Sequence, residues 1–217
     1  MHLKDCLLLF ATCLATLGSA ACDDSSTPGD DGGPGGGPPD LPPTSNDAAL
    51  KLKAGFRFRN DVAQALGLDE TFCSELGLAD CAAVHFIIMG GADAFGSGLY
   101  QPLPETTATS PLAFDRVAIA GCLSRAKIDL QSSGEGAIFV GLGVDEDGRM
   151  DANSPAASAA IERLYRRGLA RNPSTGETEA LLKLYAAIEE QGSEAPAEDW
   201  ATLSCFSVLT TLENIFY

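Results

Sequence analysis

The distribution of cysteines is the feature that most restricts how this chain folds. Four of its seven cysteines lie between residues 73 and 205, and the other three lie within the first 22 residues. An even number of cysteines in an exported domain favours disulfide bonds. We favour Cys73 with Cys81, which are close in sequence and flank a short turn, and therefore Cys122 with Cys205. The sequence leaves the other two pairings open.

These disulfides would differ in how much they stabilise the domain. Loop-closure entropy gives about 2.5 kcal/mol for the short bridge and about 4.5 kcal/mol for the long one, which would tie the middle of the domain to its last helix. The competing interpretation is a metal site. It lacks a Cys-x-x-Cys motif, and His85 is the only histidine after the N-terminal segment.

The first 21 residues have the pattern of a secretory signal peptide. Lys4 is followed by an apolar stretch over residues 6–17 and by small residues up to Ala21. The apolar stretch is too short to span a bilayer stably. The sequence therefore predicts a signal peptide over residues 1–21 and export of the rest.

The string LGSAAC at residues 17–22 resembles the bacterial lipobox, in which the cysteine is acylated and becomes the new N-terminus. The resemblance implies that Cys22 carries lipid chains such as palmitate. It also implies a membrane-anchored lipoprotein of the cell envelope, facing the periplasm or the cell surface. The alternative is ordinary cleavage after Ala21, which would release a secreted protein.

Residues 23–46 (DDSSTPGDDGGPGGGPPDLPPTSN) consist almost wholly of Gly, Pro, Asp, Ser and Thr. Such a segment cannot bury enough apolar surface to offset the entropy of ordering, so we expect a disordered linker over residues 22–46. Its root-mean-square span would be roughly 25–30 Å. Residues 47–217 are then one globular domain.

Charge limits the partners of this domain. The chain has 30 acidic and 14 basic side chains, and only six of the acids and one of the bases lie in the first 46 residues. Nucleic acids bind cationic surfaces, so the sequence predicts no nucleic-acid partner.

Capping signals predict a mainly α-helical domain. Ser110-Pro111 and Ser154-Pro155 each place an N-cap before a proline at the first helical position. Ser174 and Glu177 have the pattern of a capping box. The apolar residues of Trp200–Tyr217 predict a buried last helix.

Three stretches do not fit this helical pattern. Leu50–Arg59 suits a strand as well as the start of a helix, and Ala137–Val144 is apolar but interrupted by glycines. Gly90–Thr109 is rich in Gly, Pro and Thr and predicts a long ordered loop.

The segment around Gly148 is a candidate calcium loop. With Gly148 as the turn glycine of an EF-hand loop, Asp145, Asp147 and Asp151 occupy positions 3, 5 and 9. The first and last ligand positions lack a carboxylate. The alternative is a solvated acidic turn before the next helix, and no other cofactor is predicted.

Common catalytic constellations are missing, and no catalytic residue is assigned. His85 has no Gly-x-Ser-x-Gly partner motif and is expected to be a hydrogen-bonded core histidine. An enzyme would have to use carboxylates, which need no histidine. The candidates are Asp93, Glu105, Asp115, Asp145, Asp147 and Asp151.

Three strings support an exported helical domain by resemblance: FRNDVAQALGL at residues 58–68, LYRRGLARNPS at 164–174, and the C-terminal residues 200–217. They resemble motifs of planctomycete- and myxobacterial-type exported proteins of unknown function, which often carry cytochrome-c modules. The resemblance implies a role in cell-envelope assembly and transfers no catalytic residue. The leading interpretation is a lipid-tethered binding or scaffolding module with an envelope protein or polysaccharide partner. The alternatives are a carboxylate-dependent exported enzyme and a calcium-stabilised interaction domain.

Overall fold

The computed structural model describes residues 51–102, 107–131 and 136–216. The predicted signal peptide, the linker, the lipidation site Cys22 and the candidate carboxylate Glu105 lie outside these ranges. Within the described ranges, no helix combines the length and the apolar character that a membrane span requires.

The described part of the chain is mainly α-helical, which confirms the predicted fold class. Its helices are α1 (Gly55–Leu66), α2 (Cys81–Val84), α3 (Ser110–Gln131), α4 (Pro155–Leu169), α5 (Thr175–Glu190), α6 (Pro196–Leu209) and α7 (Leu212–Ile215). Two short strands, β1 (Ser74–Glu75) and β2 (Ala79–Asp80), form an antiparallel hairpin in which Ser74 lies opposite Asp80. Both disulfides form with the favoured pairing, Cys73 with Cys81 and Cys122 with Cys205.

Helix starts follow two of the three predicted caps. The Ser154 hydroxyl accepts a hydrogen bond from the backbone N–H of the third helical residue of α4, and Ser174 and Glu177 form the complete capping box of α5. Ser110 differs, because it is the first residue of α3 and its hydroxyl donates to the carbonyl of Ile88 at 2.6 Å. This serine ties the preceding loop to α3.

The predicted last helix over Trp200–Tyr217 is wrong at both ends. Helix α6 begins at Pro196, whose fixed φ suits the first helical position, and ends at Leu209. Thr210 and Thr211 each donate their hydroxyl to a backbone carbonyl three or four residues earlier, both at 2.9 Å. Such side-chain bonds compete with the regular helix ladder, and the chain restarts as the short helix α7.

Helix α6 forms the centre of the domain and packs against α3, α4 and α5. Trp200 is fully buried there, and its indole N–H donates to the carbonyl of Leu181 at 2.7 Å. The disulfide between Cys122 and Cys205 joins α3 to α6, and both cysteines are inaccessible to solvent. Helix α1 closes the core against α3 and α4.

In the ambiguous stretch Leu50–Arg59, the described residues from 51 onward combine an extended start with a helix. Leu52 forms an isolated antiparallel bridge with Phe216, and α1 begins three residues later at Gly55. The bridge brings the two ends of the domain together.

The ambiguous stretch Ala137–Val144 contains neither helix nor strand. Hydrogen bonds to a side chain of α3 hold it in place. The buried Asp129 carboxylate accepts hydrogen bonds from three successive backbone N–H groups, Ala137 to Phe139, each at 2.8 Å. Arg125 pairs with the same carboxylate at 2.6 Å. A buried charge with this many donors fixes an otherwise irregular segment.

Candidate interaction surface

A disulfide-closed hairpin presents two leucines to solvent. The Cys73–Cys81 bond closes the base of β1 and β2 with a Cα–Cα distance of 5.6 Å, and both cysteines are buried. At the tip, Leu76 has a positive φ of 52°, followed by Gly77 at 72°. Leu76 and Leu78 are 92% and 89% exposed. The disulfide therefore holds a turn whose leucine side chains lie outside the hydrophobic core.

Glu75 pins this hairpin to α3. Its Oε1 accepts a hydrogen bond from Arg116 Nε at 2.7 Å, and its Oε2 pairs with Arg116 Nη2. His85 Nε2 lies 2.9 Å from the same Oε1. The hydrogen bonds from Arg116, and then from His85, lower the pKa of Glu75 to about 2. Glu75 also raises the pKa of Arg116, so both groups stay ionised at neutral pH.

His85 is not the core residue that the sequence predicts. It is hydrogen-bonded, as expected, but it is half-buried and faces Glu75 near the surface. The apolar run that contains it does not form one buried element, because α2 ends at Val84 and tight turns follow up to Gly90.

Next to the hairpin, α3 and α6 form a shallow groove, which we call the α3–α6 groove. Its volume is about 400 Å³, and its lining residues are Leu112, Asp115, Arg116, Ile119 and Phe206. Leu112 is 62% exposed, whereas Ile119 and Phe206 are half-buried. Because Arg116 both lines the groove and pairs with Glu75, the groove and the hairpin adjoin at Arg116.

Among the described residues, Asp115 is the one acidic side chain that lines the groove. Partial burial raises its pKa, and none of the hydrogen bonds or ion pairs among the described residues involves its carboxylate. The neighbouring Arg116 pairs with Glu75. It does not pair with Asp115, because consecutive side chains on a helix point apart. The groove therefore combines apolar side chains with an uncompensated carboxylate.

The candidate calcium residues mainly support the backbone. The Asp145 carboxylate accepts hydrogen bonds from the backbone N–H of Asp147 at 3.0 Å and of Arg149 at 2.8 Å. Asp151 accepts one from Asn153 at 2.9 Å. Across the described ranges, no three His, Cys, Asp or Glu side chains are arranged to hold one metal ion. Calcium binding stays a prediction, tested by melting the protein with and without calcium.

The remaining catalytic candidate in the described loop, Asp93, also organises its own turn. Its carboxylate accepts hydrogen bonds from the backbone N–H groups of Phe95 at 3.2 Å and Gly96 at 2.8 Å. It therefore organises its own turn in the described part of the loop between α2 and α3, and no hydrogen bond among the described residues joins it to Asp115.

No protein-family model, curated protein or solved structure matches this chain. The candidate surface therefore depends on its own geometry. Sequence analysis missed it, although one signal was present: Leu112, Ile119 and Leu123 recur on a face of α3 different from that of the buried Phe114, Val117 and Cys122. Apolar residues on two faces of a helix indicate that one face packs in the core and that the other can bind a partner.

Proposed function

We propose that this chain is a lipid-tethered interaction module of the bacterial cell envelope. In this proposal Cys22 carries the lipid anchor, residues 23–46 form the tether, and the folded domain binds an envelope protein. The observation that carries the proposal is the α3–α6 groove together with the disulfide-closed hairpin, which adjoins the groove at Arg116 and exposes two leucines.

The location is supported independently of the anchor. The two disulfides indicate an oxidising environment outside the cytosol. A tether of roughly 25–30 Å would let the domain reorient relative to the membrane and meet a partner.

The arrangement of the surface favours binding over catalysis. Its hairpin is held by a disulfide at the base and by Arg116 and His85 at Glu75, so little conformational freedom is lost when a partner docks. Its side chains are mostly apolar, which favours a protein partner, because a polysaccharide needs many hydrogen-bonding groups.

Site-specific photo-crosslinking in the producing cells tests the interaction. A photoreactive amino acid at Leu112 should give a discrete crosslinked species, and one at the exposed Glu179 of α5 should not. The additional substitution Phe206→Asp should abolish the crosslink from position 112, because it places a charge in the apolar groove. Equal labelling from positions 112 and 179 would contradict the proposal.

Intact-mass analysis of the detergent-extracted protein tests the anchor. We expect an N-terminal Cys22 carrying a diacylglycerol group, and a gain of about four daltons on reduction of two disulfides. An unmodified N-terminus would contradict the lipid anchor. The interaction surface would then belong to a secreted protein without a membrane tether.

A further inference from the structure

We infer that the α3–α6 groove binds a peptide segment in which a lysine or arginine lies beside apolar side chains, with the cation paired to the Asp115 carboxylate. This inference rests on the proposed function and specifies the chemistry of the partner. The described lining of the groove is mainly apolar and includes one carboxylate, Asp115, that no described side chain compensates.

Asp115 lies in the groove without a partner among the described residues. Its half-buried carboxylate lines the groove together with Leu112, Ile119 and Phe206, and no donor among the described residues reaches it. A partly dehydrated carboxylate without a partner destabilises its surroundings. A cation that enters the groove would restore the interactions that burial removed, and a second carboxylate would be repelled.

Arg116, the cation among the described lining residues of the groove, is already paired with Glu75. Arg116 directs both Nε and Nη2 at Glu75, which neutralises its charge locally. His85 Nε2 lies 2.9 Å from the same carboxylate. Arg116 therefore lines the groove without compensating Asp115, and the described lining of the groove carries an unpaired carboxylate.

Exposed leucines next to the groove suit the apolar side chains of such a peptide. Beyond the groove, Leu123 lies one turn after Ile119 on α3, and Leu203 lies almost one turn before Phe206 on α6. They are 44% and 38% exposed. These side chains extend the apolar strip along both helices, which suits an amphipathic segment laid between them. The acidic net charge of the chain would speed the encounter with a cationic segment.

Binding of designed peptides to the full chain, with its disulfides intact and in detergent, tests the inference. The probes are a short amphipathic peptide of leucine and lysine and two counterparts, one of leucine and glutamate and one of serine and lysine. We expect the leucine–lysine peptide to bind most tightly. Asp115→Asn should weaken its binding about tenfold, the effect of losing one charge-assisted hydrogen bond.

Glu179→Gln is the matched control, because it removes the same charge from an exposed position on α5 outside the groove. It should change the affinity by less than about twofold, since an exposed charge is largely screened. Equal weakening by Glu179→Gln and Asp115→Asn would mean non-specific attraction to an acidic protein and would overturn the inference.

The remaining outcomes separate this inference from the proposed function. If Phe206→Ser weakens peptide binding and Asp115→Asn does not, the cation contact is wrong and the docking groove stands. If the wild-type chain binds none of the probes, the inference is overturned. The proposed function is then tested separately by crosslinking from position 112. A concentration-dependent dimer that Phe206→Ser abolishes would identify a second copy as the occupant and would also overturn it.

Discussion

The two disulfides of this domain lie in regions with opposite relations to the core. Cys122–Cys205 joins the two most extensively packed helices across 83 residues, and the side chains around it are buried. Cys73–Cys81 spans only eight residues and closes a hairpin whose tip is exposed. The same kind of covalent bond therefore joins two core helices in one region and, in our proposal, holds a binding surface in the other.

Removing the long disulfide should have the largest effect on stability. The double substitution Cys122→Ala and Cys205→Ala frees a long loop in the unfolded chain, and we expect a loss of about 4.5 kcal/mol in the free energy of unfolding. Denaturant unfolding followed by the fluorescence of the buried Trp200 measures it. A loss below about 1 kcal/mol would mean that packing between α3 and α6 holds this region without the bond.

Removing the short disulfide should cost less stability and more binding. For Cys73→Ala with Cys81→Ala we expect a loss of about 2.5 kcal/mol, because the closed loop is short. The crosslink from position 112 should weaken as well, since the hairpin beside the groove loses its base. If crosslinking is unchanged, the hairpin is not part of the docking surface and the contrast between the two regions fails.

Acid should loosen the hairpin region through Glu75. Its folded-state pKa of about 2 lies below the ordinary value of 4.5, so its contribution to stability is present above about pH 4.5 and is lost as the pH falls toward 2. Glu177, which Arg171 and Ser174 hold at a pKa of about 2, behaves in the same way between α4 and α5. Unfolding free energy should therefore decline over this range.

The variant Glu75→Gln separates the two contributions. It should flatten part of the decline between pH 4.5 and 2, and Glu75→Gln combined with Glu177→Gln should flatten more of it. Chemical denaturation at a series of pH values gives the slopes. An unchanged slope in Glu75→Gln would show that the contact with Arg116 does not persist in solution.

Sequence alone predicted the features that depend on local signals. The caps at Ser154 and Ser174 need only a few consecutive residues, and the pairing of Cys73 with Cys81 follows from their proximity in the chain. The helical class followed from the same patterns. What sequence missed depends on residues brought together by tertiary folding.

The clearest example is the contact of Glu75 with Arg116, which are 41 residues apart. No periodicity or motif links these positions, and the same is true of the groove between α3 and α6. The end of the last helix was missed for a different reason, since two threonine hydroxyls compete with the helix ladder where the residues otherwise look apolar. Long-range charge pairs and helix crossings are therefore the part of the site that required the structure.

The smallest effect on stability is expected at the hairpin tip. Leu76→Ser with Leu78→Ser should change the unfolding free energy by less than about 0.5 kcal/mol, because both side chains are exposed and leave no cavity. The same variant should reduce crosslinking from position 112, if these leucines bind the partner. The buried Leu181→Ala of α5 is the matched control, with an expected loss of about 2–4 kcal/mol and a crosslink retained in the folded fraction. A large loss of stability in the hairpin variant would show that the leucines support the fold. It would contradict the proposal that this hairpin serves binding.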